Sequence, residues 1–184
     1  MNVCWVISEE ALDDQVLPEE LKTIGEAWGS WRIWKSHKPD NCVCSSIPEA
    51  ENLVGRLFHT ITTLYISTAA NQLLDKPSGV KLFGGTFHNG SISNKDDIIT
   101  LNLASTKADI ILMYGFNFSP LLNTDEEEYR KSREEYYFNV RELIKNNPDT
   151  QYVLIDYYNE SAEWIGELEN LTFDVIDSVR NLLT

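Results

Sequence analysis

The chain of 184 residues has little cysteine, little glycine and no long apolar run. Its three cysteines, Cys4, Cys42 and Cys44, are too few, and odd in number, for a disulfide framework. Cys42-Val43-Cys44 lacks a second pair at zinc-finger spacing, so all three read as small buried apolar residues. Nine Gly and six Pro exclude a collagen-like or low-complexity chain. No stretch approaches the roughly 18 apolar residues of a membrane span. The first apolar run, Val3 to Ile7, has no basic residue before it and is too short for a signal peptide, so a cytoplasmic protein is expected.

Positive charge is also scarce. Fifteen Lys and Arg stand against 29 Asp and Glu, a formal charge of −14. Direct nucleic-acid binding needs clustered positive charge and is not expected. Docking on anionic lipid is excluded on the same ground. A hydrophobic fraction of 42% is too high for a disordered chain, and the length suits one domain with a core.

The pattern of elements is alternating. Met1 to Ile7 reads as a buried strand, and Pro18 to Ile24 as a short helix with acids at its start. Trp28 to Trp34 alternates aromatic and polar residues, which predicts a strand. Asn41 to Cys44 predicts a second, and the two are expected to form a hairpin. Ser46 and Glu49 form a capping box. Leu53, Leu57, Ile61, Leu64 and Tyr65 then follow at helical spacing, which predicts a helix to about Ser67. Val80 to Phe83 reads as a strand. Asn94 to Ala104 suits helix or strand by its period, and Asn94 with Asp96-Asp97 favours helix.

Ala108 to Tyr114 is a nearly uninterrupted apolar run, expected as a central parallel strand. Thr124 with Glu127 forms a second capping box ahead of a helix that Asn146-Asn147-Pro148 ends. Gln151 to Ile155 reads as a strand, and Thr172 to Leu183 as a terminal helix. This order predicts one Rossmann-like or flavodoxin-like α/β domain over residues 1–184. It has about five mainly parallel strands with helices on both faces.

In such a sheet, ligands bind beyond the carboxyl ends of the strands. The residues there are Ser8-Glu9, the Gly84-Gly85-Thr86-Phe87-His88-Asn89-Gly90 loop, Gly115-Phe116-Asn117 and Asp156-Tyr157-Tyr158. Gly84, Gly85, Thr86, Gly115, Asn117 and Tyr158 are the expected ligand contacts, through freed amides, polar side chains and a ring to stack. Ordinary turn chemistry accounts for the same composition. His88 and Asp156 are the candidate catalytic pair, provided the fold brings them within hydrogen-bond reach. His37 is expected in an exposed turn and His59 on a helix surface. No G-x-G-x-x-G follows the first strand and no Walker A occurs, so no cofactor is identified.

Gly115-Phe116-Asn117 resembles the G-x-N oxyanion element of SGNH hydrolases, and Ser8 stands where that family's nucleophile ends the first strand. Ser8 lacks the family's preceding Gly-Asp, and no His follows Asp156 at D-x-x-H spacing. A serine without its base is not activated.

The charge is uneven. Residues 29 to 118 carry a net +1, so the remainder carries −15. One block of acids lies between Glu9 and Glu26 and another between Asp156 and Asp177. Two functional readings follow. One is a nucleotide- or sugar-like small ligand at the strand ends. The other is a non-enzymatic interaction module whose acidic surface takes a basic protein partner, as an inhibitor or nucleic-acid mimic would. Trp28, Trp31 and Trp34 suit core or interface packing, and a Trp-bearing hairpin at a sheet edge would serve a homodimer.

Overall fold

The computed structural model describes residues 1–11, 19–54, 62–67, 80–83, 95–118, 125–155 and 159–180. Its strands are the short apolar runs. They are β1 (Val3–Ile7), β2 (Glu26–Ser30), β3 (Asn41–Cys44), β4 (Thr63–Ser67), β5 (Val80–Phe83), β6 (Ile110–Tyr114), β7 (Gln151–Ile155) and β8 (Leu171–Asp174). All pair in parallel in one sheet, in the order β5-β4-β3-β2-β1-β6-β7-β8. The α/β class is as expected; the sheet has eight strands where about five were expected.

Parallel strands buried on both faces need helices on both sides. The helices are α1 (Glu19–Lys22), α2 (Trp34–His37), α3 (Ile47–Val54), α4 (Lys95–Ser105), α5 (Glu126–Lys145), α6 (Asn159–Ile165) and α7 (Ile176–Arg180). Alternate strand residues divide between the faces. Cys4, Val6, Trp28, Val43, Ile111, Met113, Tyr152 and Leu154 meet α4 and α5. Trp5, Ile7, Ala27, Leu112, Tyr114 and Ile155 meet Leu21 and Val179 of α1 and α7. Cys42, Cys44, Leu64 and Ile66 meet Ala50 and Leu53 of α3. All three cysteines are buried free thiols. Burial raises Cys42, and raises Cys44 to about 12, so neither ionises near neutral pH.

Several expectations are corrected. The stretch Trp28 to Trp34 is not one strand: β2 ends at Ser30, Trp31–Ile33 form a 3-10 turn, and Trp34 begins α2. The Ser30 side chain accepts from the Arg32 N–H and starts that turn. No hairpin follows, because β2 and β3 are parallel. His37 is buried, not exposed. The described helix after Ser46 covers Ile47–Val54, and Leu64 and Tyr65 belong to β4. Leu64-Tyr65-Ile66 is a continuous apolar run, which suits a strand buried on both faces better than a helix stripe. Leu57, His59 and Ile61 lie outside the described residues. Residues 171–174 form edge strand β8 ahead of the short α7, in place of one terminal helix. The long helix is capped by Asp125, whose carboxylate accepts from the Glu128 N–H at 2.9 Å. Thr124 lies outside the described residues.

The winding of the chain positions the site. From β1 the strands step in one direction to β5. The chain then returns through α4, packed on β1, β2 and β3, and resumes on the other side of β1 with β6. The direction reverses between β1 and β6, the place where open α/β sheets form a crevice.

Candidate functional site

Because every strand is parallel, every carboxyl end opens on one edge of the sheet. Ser8 follows β1, Ser30 ends β2 and Ser45 follows β3. Helix α4 begins at the same edge and points two consecutive carboxylates back at these ends. Asp97 takes the β1 end. Its Oδ2 accepts from Ser8 Oγ at 2.5 Å, and its two oxygens accept from the Glu9 N–H at 2.9 and 3.1 Å. Ser8 Oγ accepts in turn from the Glu10 N–H at 3.2 Å. Asp96 takes the β3 end, where its Oδ1 accepts from the Ser45 N–H at 3.1 Å. The pair therefore straddles β2.

Above β2, Glu9 Oε2 meets Arg32 Nη1 at 2.8 Å. The Glu9 side chain is only 7% exposed, whereas that of Arg32 is 52% exposed. The Arg32 guanidinium lies 5.8 Å from the Trp31 ring centre, a cation–π contact. A polar chain thus runs from the protein interior to its surface: Ser8 and Asp97, then Glu9, then Arg32.

The electrostatics follow from that placement. Burial, and next the charge of Glu9, push Asp97 well above the ordinary carboxylate value; the Ser8 hydroxyl and Glu9 amide pull the other way. Burial also raises Glu9, against the Arg32 charge and Ser30, and Asp96 adds to the rise. Neighbouring carboxyls of this kind disfavour each other's ionised form. Tyr136 of α5 abuts this cluster. It is fully buried, and burial and then the negative charge of Asp97 raise its phenol. Its hydroxyl finds no hydrogen-bond partner among the described residues.

Gly115 and Asn117 are the two expected site residues that the structure describes. Gly115 sits after β6 at φ +75°, a conformation that favours glycine. A Cβ there would lie 2.7–2.8 Å from Ala11 atoms, so the turn after β1 occupies the space beside it. The Asn117 amide oxygen accepts from Ser161 Oγ of α6 at 2.8 Å. This ties it to the flank of the sheet. Ser8 is fully buried and its hydroxyl bridges Asp97 and the Glu10 amide. It is held as a structural link, unlike the exposed nucleophile that the SGNH resemblance implies.

Gly84, Gly85, Thr86, His88, Asp156 and Tyr158 lie outside the described residues. The strands that lead to them, β5 and β7, stand six strand spacings apart, about 29 Å along the sheet. Sequence reasoning missed Asp96 and Asp97 as site residues, because acids at a helix start are ordinary dipole partners. The available signal was the recurrence of Ser directly at strand ends, at 8, 30 and 45, facing an acid pair on the crossover helix.

Among the described residues no group of three or more His, Cys, Asp or Glu side chains is placed to hold a metal ion. No helix among them is long and apolar enough to cross a membrane. No protein-family model matches the chain, and no curated protein matches it either.

Proposed function

We propose that this protein binds a small hydroxyl-rich ligand, of nucleoside or sugar type, at the carboxyl ends of β1, β2 and β3. The observation that supports this reading most is the polar chain Ser8–Asp97–Glu9–Arg32, which links a buried carboxylate to an exposed guanidinium at the ends of β1 and β2. Carboxylates accept from ligand hydroxyls, and the planar guanidinium donates and stacks. Glu9 and Arg32 make the first contacts. Glu9 and Asp97, both raised above the ordinary carboxylate value, are the acid–base groups of this reading. The residues after β5 (Gly84, Gly85, Thr86, His88) and after β7 (Asp156, Tyr158) follow strands that open on the same edge.

Calorimetric titration with a panel of nucleosides and monosaccharides tests it. At least one panel member binds the wild type, and Glu9→Gln and Arg32→Ala each weaken that binding about tenfold, the effect of losing a hydrogen bond to a charged group. Absence of binding by every panel member overturns the reading, as does equal binding by both variants.

A second reading, capture of a basic protein, is favoured by one feature. Glu163, Glu167 and Glu169 are all exposed along α6 and the connection to β8. Such a row steers a basic partner at long range.

A further inference from the structure

On the outer side of the molecule, α5 and α6 enclose a groove of about 530 Å³ lined by Lys131, Glu134, Glu135, Phe138, Arg141 and Trp164. Its floor is aromatic and open to solvent: Phe138 is 60% exposed and Trp164 37% exposed. Trp164 is held rigidly, stacked on Tyr137 at 6.3 Å and 11° with the Arg133 guanidinium 5.0 Å over its ring. The aromatic surface is therefore preorganised, which lowers the entropy cost of covering it.

The charge of the groove is balanced where that of the whole molecule is not. The whole chain carries −14, yet residues 129–145 carry a net +2, and Lys131, Glu134, Glu135 and Arg141 around the groove sum to zero. Two copies of so acidic a molecule repel each other over most approaches. They approach at lower cost through a face on which bases and acids balance, as these four groove residues do.

The order of charges along α5 also has a symmetry. Glu135 lies three residues before Phe138 and Arg141 three residues after it. A two-fold axis at Phe138 sets two α5 helices antiparallel and brings Glu135 of each copy opposite Arg141 of the other. Glu135 is exposed and stands outside the ion pairs Glu127–Lys131, Arg130–Glu134 and Glu142–Lys145 within the helix. Arg141 is anchored at the groove by donating Nη1 to the Ile165 carbonyl, and its fork holds further donors. An isologous contact needs this kind of self-complementarity.

We infer that the α5–α6 groove is the interface of a homodimer, in which Phe138 and Trp164 of two copies pack about a two-fold axis and Glu135 pairs with Arg141 across it. This surface lies away from the strand-end crevice, and the inference does not depend on the ligand reading.

Sedimentation equilibrium of the full chain tests it. The wild-type mass rises with concentration towards twice 21.1 kDa. Phe138→Ser, at an exposed position, keeps the circular dichroism spectrum and stays at the monomer mass. Glu135→Arg and Arg141→Glu each weaken association, and the double swap restores it, because the pairing is re-formed with its signs exchanged. A wild-type mass of 21.1 kDa at every concentration overturns the inference. So does a dimer indifferent to Phe138→Ser. A double swap weaker than both single variants overturns the antiparallel arrangement.

Discussion

Among the described residues Arg32 is the cation paired with Glu9 in the strand-end cluster, and the balance between burial and that pairing sets the behaviour of Glu9 with pH. Glu9 and Asp97 both titrate above their ordinary values in the folded protein. Between the unfolded values of about 4 and the raised folded values, the native state binds more protons than the unfolded one. Their contribution to stability is therefore largest on the acid side and falls as pH rises through that window. Arg32→Ala removes the charge that lowers Glu9 and widens the window. The variant loses about 1–2 kcal/mol at neutral pH, between the values for exposed and buried pairs because Arg32 is itself half exposed. Below about pH 4, with Glu9 protonated in both states, the difference disappears. Melting curves of wild type and variant across pH measure this. A deficit that persists undiminished in acid would mean that Arg32 acts by packing on Trp31 instead. At this scale the sequence showed only part of the site. Ser8 and Glu9 were legible as a strand end. Asp97 was not, because it reaches Ser8 across 89 positions and only the crossover of α4 brings them together.

Elements were legible where one signal dominated. Ile110–Tyr114 is an apolar run with no competing period, and it became β6 beside β1. The helix reading of Asn94 to Ala104 rests on Asn94 and Asp96-Asp97 at its start, and the two acids do stand at the N-terminus of α4, while Asn94 lies outside the described residues. Elements were misread where a short strand matched a helical spacing by chance. Leu64 and Tyr65 extended an apolar stripe begun at Leu53, yet burial on both faces decided for β4. Residues 171–174 pair with β7 at the sheet edge, where a helix period was also satisfied. Helix α5 shows how a cap decides a boundary. Three acids, Glu126, Glu127 and Glu128, follow Asp125, and the Asp125 carboxylate binds the Glu128 amide. Asp125→Ala destabilises the protein by about 1 kcal/mol and Asp125→Asn by much less, since the amide oxygen still accepts. Denaturant unfolding of the two variants distinguishes a cap from a charge effect, because Asn keeps the acceptor and loses the charge. Equal losses would assign the effect to the helix dipole.

Across the whole molecule, the two acidic blocks of the sequence do not form a single face. Leu21 of α1 and Val179 of α7 share a core, so Glu19 and Asp177 belong to that side of the sheet. Glu160 and Glu163 lie on α6, which packs with α5 on the opposite side, and Glu160 is engaged by Arg133. What remains open to a basic partner is the exposed series Glu163, Glu167 and Glu169. Charge of this kind acts through solvent, so its attraction is screened within about 10 Å at 0.1 M salt. Wild-type protein therefore captures an immobilised poly-arginine peptide at low salt and releases it steeply as salt rises. Each exposed pair contributes a few tenths to about 1 kcal/mol, so Glu163→Gln, Glu167→Gln and Glu169→Gln combined weaken capture about tenfold at low salt. The three positions are exposed, and the melting temperature stays near that of the wild type. Glu19→Gln with Asp177→Gln, on the far side of the sheet, serves as the control for net charge alone. If it weakens capture as much as the triple change, the attraction belongs to the overall −14 and not to the row on α6 and the connection to β8. If only the triple change does so, the basic partner docks beside the same helix pair that carries Phe138 and Trp164. Partner binding and self-association then compete for neighbouring ground.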